Sequence, residues 1–265
     1  MSANWFLDAS RAVLRASGPD ARAMIQDLVT NDLDQLGEGD LVYAALLTPQ
    51  GKYLFDFFIG ADEGGDGFLI DIAADRAGAF AQRLAMYRLR RKMEIAPADL
   101  SVALFWGDAP PPPGARADPR SAAMGWRIYG ADLALTEGAR EASRADLDLL
   151  RVRHCVPETG VELQPDETYI LEAGFERLNG VDFRKGCYVG QEVTARMKHK
   201  TTLKKGLVRV SVEGDAAPGT PIEADGKPAG ALFTVAGGEG LAHLRFDRAE
   251  GAMRAGGATV RRIDA

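Results

Sequence analysis

The chain has 265 residues, 32 Lys/Arg against 38 Asp/Glu for a formal net charge of −6, with 46% hydrophobic and 26% charged residues. That balance excludes a disordered or collagen-like chain and leaves enough apolar material for two or three subdomains. It also argues against general nucleic-acid binding, and no apolar run reaches the ~20 residues of a membrane-spanning helix.

Residues 4–16 read as a strand pair. Ser17-Gly18-Pro19-Asp20 is a turn and helix-start signal, and a helix is expected over 21–29, ended by Thr30-Asn31-Asp32. Segments 41–47 and 53–60 are strand-like and joined by Thr48-Pro49-Gln50-Gly51-Lys52, in which Gly51 can take a positive φ. A third strand at 68–73 follows a glycine-rich tip at 63–67. The helix expected over 77–89 carries Phe80, Leu84 and Tyr87 on one face. Together these describe an α+β unit, a strand meander with helices on one side.

Four successive prolines at 110–113 mark an extended connector, and 107–125 is not expected to hold a ladder or a helix. The chain resumes with a strand at 125–130 and a helix over 143–155 stopped by Pro157. Residues 160–180 read as mostly irregular, with one candidate helix at 168–178. After Lys205 come short strands at 207–212, 221–224, 229–236 and 241–246, with Asp225-Gly226 as a two-residue hairpin turn, so the end reads as a small β-barrel. The expected parts are 1–106, a connector at 107–124, a second part at 125–203 and the barrel at 204–265.

The N-terminus has no basic start or long apolar stretch, so no secretory leader is expected and the default compartment is the cytoplasm. Two cysteines, Cys155 and Cys187, without a C-x-x-C and with three histidines, do not suggest a four-ligand zinc site, and no metal ligands are assigned. Both thiols are expected to be free in a reducing compartment. From Arg184 to Lys205 seven Lys/Arg face one acid, and from Arg83 to Lys92 there are five Lys/Arg and no acid. Two such segments on an acidic protein are either solvated faces or sites for an anionic ligand.

The segment with most chemical content is Lys185-Gly186-Cys187-Tyr188-Val189-Gly190-Gln191-Glu192. Its glycines allow sharp bends, while Lys185 and a helix beginning at Gln191 would favour the thiolate of Cys187, the nucleophilic and metal-binding form. An inert buried cysteine is the competing reading, and it is the one adopted for Cys155. No Ser-His-Asp set, paired carboxylates or G-x-G-x-x-G fingerprint stands out.

The string Phe-Arg-Lys-Gly-Cys-Tyr-Val-Gly-Gln-Glu-Val-Thr-Ala-Arg at 183–196 resembles the signature of the YgfZ-type folate-binding proteins, a family that includes the mitochondrial assembly factor for iron–sulfur proteins. Residues 25–32, 47–52, 87–92 and the stretch from Arg151 to Glu158 agree in order. The resemblance implies a fold similar to the glycine cleavage T protein: a folate-binding body of two related α+β parts plus a C-terminal β-barrel. It implies tetrahydrofolate as ligand and a role in assembly or repair of iron–sulfur clusters in client enzymes, including a tRNA-modifying one, with assembly or client proteins as partners.

On that resemblance Cys187 is the functional thiol and Lys185 its activator. Gly186, Gly190 and Gln191 shape the loop, Tyr188 is a further folate-binding residue, and Glu192 and Arg196 tie the loop to the cavity wall. Asn31 and Asp32 meet the pterin or simply end the helix, while Arg88 and Arg90 attract the folate tail or are solvated. The alternatives are a one-carbon, aminomethyl-type transferase and a passive folate scaffold. The transferase is disfavoured because the chain lacks that enzyme's Gly-rich loop and has Arg153 where the enzyme anchors its pterin.

Overall fold

The computed structural model describes residues 3–63 and 67–263, so residues 64–66 of the expected glycine-rich tip lie outside the described residues. The chain divides into two compact units: residues 1–50, 54–142 and 176–191 form the first, and residues 51–53, 143–175 and 192–265 the second. Each unit is built from more than one stretch of the chain.

The first unit begins with β1 (Ala3–Leu7) and β2 (Arg11–Ser17), followed by α1 (Ala21–Gln26), β3 (Leu41–Leu47), β4 (Tyr53–Ala61), β5 (Phe68–Ala73) and α2 (Ala74–Arg88). Then come β6 (Glu94–Pro97), β7 (Ser101–Gly107), β8 (Arg116–Ala117), β9 (Trp126–Gly130) and β10 (Ala139–Glu141). One sheet has the order β3-β4-β5-β2-β6 and the other β10-β1-β7-β9-β8. The expected pairing of the first two strands does not occur. β2 pairs with β5 and β6, whereas β1 pairs with β7 and β10, so consecutive strands enter different sheets.

The core of the first sheet follows from the apolar spacing. Phe80 and Leu84 are buried, Tyr87 packs against the same cluster, and the Phe80 ring meets Phe55 edge-on at 5.5 Å and Phe57 at 4.7 Å. Helix α1 is shorter than expected, because Val29 leaves it to bridge Leu46 of β3.

The segment expected to hold no ladder does hold one. β8 pairs with β9, and a 3-10 turn spans Ala122–Met124. The physical reason is charge. Asp118 is buried and bonded to Arg120, and Arg127 of β9 sits between Asp118 and Asp71 of β5, which also takes Arg11 at 2.6 Å. The Arg127 and Arg120 guanidiniums stack on Phe58 at 4.1 and 4.7 Å. Buried charges persist only when paired, so the polar stretch after the prolines is fixed to the two sheets.

The second unit contains α3 (Arg144–Arg153), most of α4 (Gln191–Lys200) and six strands: β11 (Lys205–Glu213), β12 (Pro221–Ala224), β13 (Lys227–Ala236), β14 (Glu239–Arg245), β15 (Met253–Ala255) and β16 (Ala258–Arg262). The strands close into a barrel in the order β11-β14-β13-β12-β15-β16. Asp225 and Gly226 both take positive φ, 48° and 70°, as the hairpin signal requires. Ser143 and Asp146 cap α3 reciprocally. Within this unit Glu162 is fully enclosed, accepting from Thr234 of β13 and pairing with Arg151 of α3 at 2.8 Å. The helix expected at 168–178 is replaced by turns, interrupted by Gly174 at φ 82°.

Candidate functional site

The site lies in the first unit, where the segment leading to Gly190 packs on the residues that follow α1. Thr30 is fully buried. Its hydroxyl donates to Gly180 O at 2.7 Å and accepts from Ala45 N at 2.8 Å, while Asp182 N donates to Thr30 O. Asn31 donates through Nδ2 to Tyr43 O and to Asn179 O, and its Oδ1 accepts from Asp32 N. Asp32 caps a short 3-10 turn, accepting from Asp34 N and from Gln26 Nε2 at 2.7 Å, and these bonds hold its carboxyl below the usual range. The predicted pair thus ties the post-helix loop to two neighbouring segments.

Lys185 points into the protein. Its side chain is buried, and Nζ donates to the carbonyls of Gln26, Val29 and Asn31 at 2.7, 2.6 and 3.0 Å. An ammonium has three protons, so all are committed to these carbonyls and none is left for the thiol. Burial pushes its pKa down to about 8, against the pull of Asp32, Asp27 and Asp182. Lys185 therefore anchors its loop to the residues that follow α1.

Two residues on, Cys187 is free and exposed. Tyr188 is buried again, with its ring 5.5 Å from Nζ of Lys185, and Val189 packs on the main core. Gly190 takes φ 85°, a left-handed conformation costly for any side chain with a Cβ. Gln191 closes the loop by donating to Tyr188 O from its backbone and to Gly186 O from its side chain, and α4 begins there. Chain on both sides of Cys187 is pinned, and the thiol points out.

Other predicted residues lie apart from this arrangement. Glu192 and Arg196 are exposed, and their side chains make no hydrogen bond or ion pair among the described residues. Both belong to the other compact unit. Arg88 is exposed and donates to Met93 O near the end of α2, and Arg90 is exposed. Gly186 has open space around it, so packing does not require a glycine there.

Beside Asn31 lies a cavity of about 470 Å³, lined by Gln35, Glu176, Asn179, Asp182, Phe183 and Arg184 among others. The sequence reading missed these residues. Asn179-Gly180 is a turn dipeptide and Asn179 has φ 53°, which was the one signal available for this bend. Gln35 donates to Asp182 at 2.8 Å, and Asp182 also accepts from Arg184 N, so the wall is built of mutually bonded polar groups.

The chain is 32% identical to the mouse (Mus musculus) protein named iron-sulfur cluster assembly factor IBA57, mitochondrial, across 92% of this chain and 78% of the relative. It belongs to the IBA57 family. The human (Homo sapiens) protein of the same name is 33% identical over the same shares. Residues 204–264 match the CAF17 C-terminal beta-barrel domain. Among solved structures, the glycine cleavage system aminomethyltransferase T from Bartonella henselae superposes with a TM-score of 0.78, covering 100% of this chain and 85% of that one. At 15% identity that likeness establishes the fold, a T-protein-like α+β body with a barrel. The cytoplasmic expectation does not stand, because these IBA57 relatives are named as mitochondrial. The criterion behind it tests only for a secretory leader, which says nothing about an organelle.

Proposed function

We propose that the protein assists assembly or repair of iron–sulfur clusters, as its IBA57 relatives are named for, and that Cys187 is the thiol it presents to a cluster-bearing partner. The observation that carries this reading is the exposed Cys187 held between buried Lys185 and buried Tyr188. A catalytic nucleophile needs a base and a shaped pocket around it. A thiol offered on a pinned loop suits contact with another protein's cargo instead.

Among the described residues no group of three or more His, Cys, Asp or Glu could hold a metal ion. In this reading a cluster is cargo, with Cys187 supplying one sulfur and the partner the other ligands.

The YgfZ-type resemblance adds tetrahydrofolate as ligand and a tRNA-modifying enzyme among the clients. What supports the ligand is the cavity beside Asn31, whose volume falls in the range of small-molecule sites. Carboxylates of Glu176 and Asp182 suit the N–H edge of an aminopyrimidine, and exposed Arg184 at the wall suits a glutamate tail.

Two measurements test this. Calorimetry with tetrahydrofolate on wild type and Asp182→Ala should show binding that the substitution weakens; no heat with wild type removes the ligand. In cells lacking the protein, Cys187→Ser should fold and bind folate yet fail to restore iron–sulfur enzyme activity and methylthiolated tRNA. Full restoration refutes the role of the thiol.

A further inference from the structure

The end of α2 carries a feature that neither the core nor the Cys187 loop uses. Leu89 is 88% exposed, the largest exposure among the large apolar side chains of the described residues, and Met86, three positions earlier, is 59% exposed. Met86 belongs to the last turn of α2, and Leu89 is the first residue past its end. The backbone at Leu89 has φ 48° and ψ −106°, and Arg91 N donates to Arg88 O at 2.7 Å. That is the first central position of a type II′ turn, which glycine dominates. A leucine there is held in a strained conformation while its side chain packs on nothing that stabilises the fold.

Its surroundings are basic. From Arg83 to Lys92 there is no acid. Arg88, Arg90, Arg91 and Lys92 are all exposed. Arg91 is paired with Asp27 at 2.6 Å, whereas the side chains of Arg90 and Lys92 make no hydrogen bond or ion pair among the described residues. The result is a small apolar tip ringed by cations on a chain of net charge −6.

We infer that the α2 tip, with Leu89 and Met86 at its centre and Arg90 and Lys92 on its rim, docks an acidic surface of a partner protein. Charge complementarity selects that occupant. A central apolar anchor with a charged rim is the arrangement of a protein–protein contact, the rim steering encounter and the anchor slowing release. Membranes and nucleic acids are extended anionic surfaces, and a net-acidic protein meets them with repulsion beyond the few cations of the tip. A carboxylate-ringed notch on a folded protein matches the tip in size and leaves the rest of the acidic surface out of contact.

Leu89→Gly provides a clean test, because glycine suits the turn and the fold does not need the side chain. The probes are a short soluble peptide alternating Glu and Leu, the same peptide with Lys for Glu, phosphatidylserine vesicles and single-stranded DNA. Binding is followed by amide NMR shifts and by titration at two salt concentrations. The expected result is that the acidic peptide alone shifts the amides around residues 86–92. Leu89→Gly and, separately, Arg90→Glu with Lys92→Glu should each weaken it by about tenfold. Added salt should weaken it too, and the melting temperature of Leu89→Gly should be unchanged or higher. No shift at 86–92, equal binding by Leu89→Gly, or tighter binding to vesicles or DNA than to the acidic peptide would overturn the inference.

Discussion

Replacing Lys185 by methionine, and separately by alanine, isolates what the ammonium and its stem contribute. The three bonds to Gln26, Val29 and Asn31 are each worth roughly 1.5 kcal/mol, the lower end for a charged donor. Against that stands burial, which lowers the pKa from 10.5 to about 8. Desolvation of the charge offsets much of that gain, so Lys185→Met, which keeps most of the stem, should cost about 1 kcal/mol.

Lys185→Ala also removes three buried methylenes, at ~0.8 kcal/mol each, and should cost about 3 kcal/mol. The pH dependence has a definite sign. Between pH 8 and 10.5 the unfolded chain holds a proton that the folded lysine has released, so wild-type stability contributed by this group rises with pH across that window. The methionine variant should lack that rise. Urea denaturation of the three proteins at pH 7 and across pH 8–10 measures all of this. Equal costs for Met and Ala would refute the anchor role.

Asp71→Asn should cost ~3–5 kcal/mol in thermal or urea unfolding, because it removes the counter-charge of Arg11 and leaves buried Arg127 with Asp118 alone, 3.6 Å away. Burial alone would raise the Asp71 pKa, but Arg11 and Arg127 more than reverse that and hold it below 3.8. Its stabilisation is thus present above that value and lost as pH falls through the lower folded-state value, a loss that an acid titration of Asp71→Asn should not show. Gly190→Ala, at φ 85°, should cost ~1 kcal/mol or more and speed labelling of Cys187 by a thiol reagent as the loop loosens. Thr30→Val should cost ~1–3 kcal/mol by orphaning Ala45 N and Gly180 O in the interior, read as a lower urea midpoint.

Local patterns were legible in the sequence where neighbours in the chain decide the structure. The 68–73 strand, the Asp225-Gly226 hairpin and the apolar face of α2 all follow from nearby residues. What escaped was set by distant partners. β1 and β2 look like a pair, yet their edges are taken by β7 and β5, which no local rule foresees. Asp118, Arg120 and Arg127 look like surface charges until Asp71 joins them in the interior. Lys185 sits two residues from a cysteine, but its direction is fixed by three carbonyls over 150 positions earlier. In the candidate helix at 168–178, Ile170, Leu171, Phe175 and Leu178 are buried, but within turns. The strands β15 and β16 went unread because two alanines and a short span give little alternation.

The barrel of the second unit has one consequence for how this protein meets others. A closed ring of strands offers no free backbone edge, so a partner cannot extend it with a strand of its own. In the first unit the terminal strands are guarded as well. β8 has two residues and β10 three, and β6 ends at Pro97. The outer side of β3 is engaged by Thr30 N on Ala45 O and by the Asn31 amide on Tyr43 O. Partners are left to bind through side chains and loops, the chemistry that a displayed thiol and a charged helix tip provide.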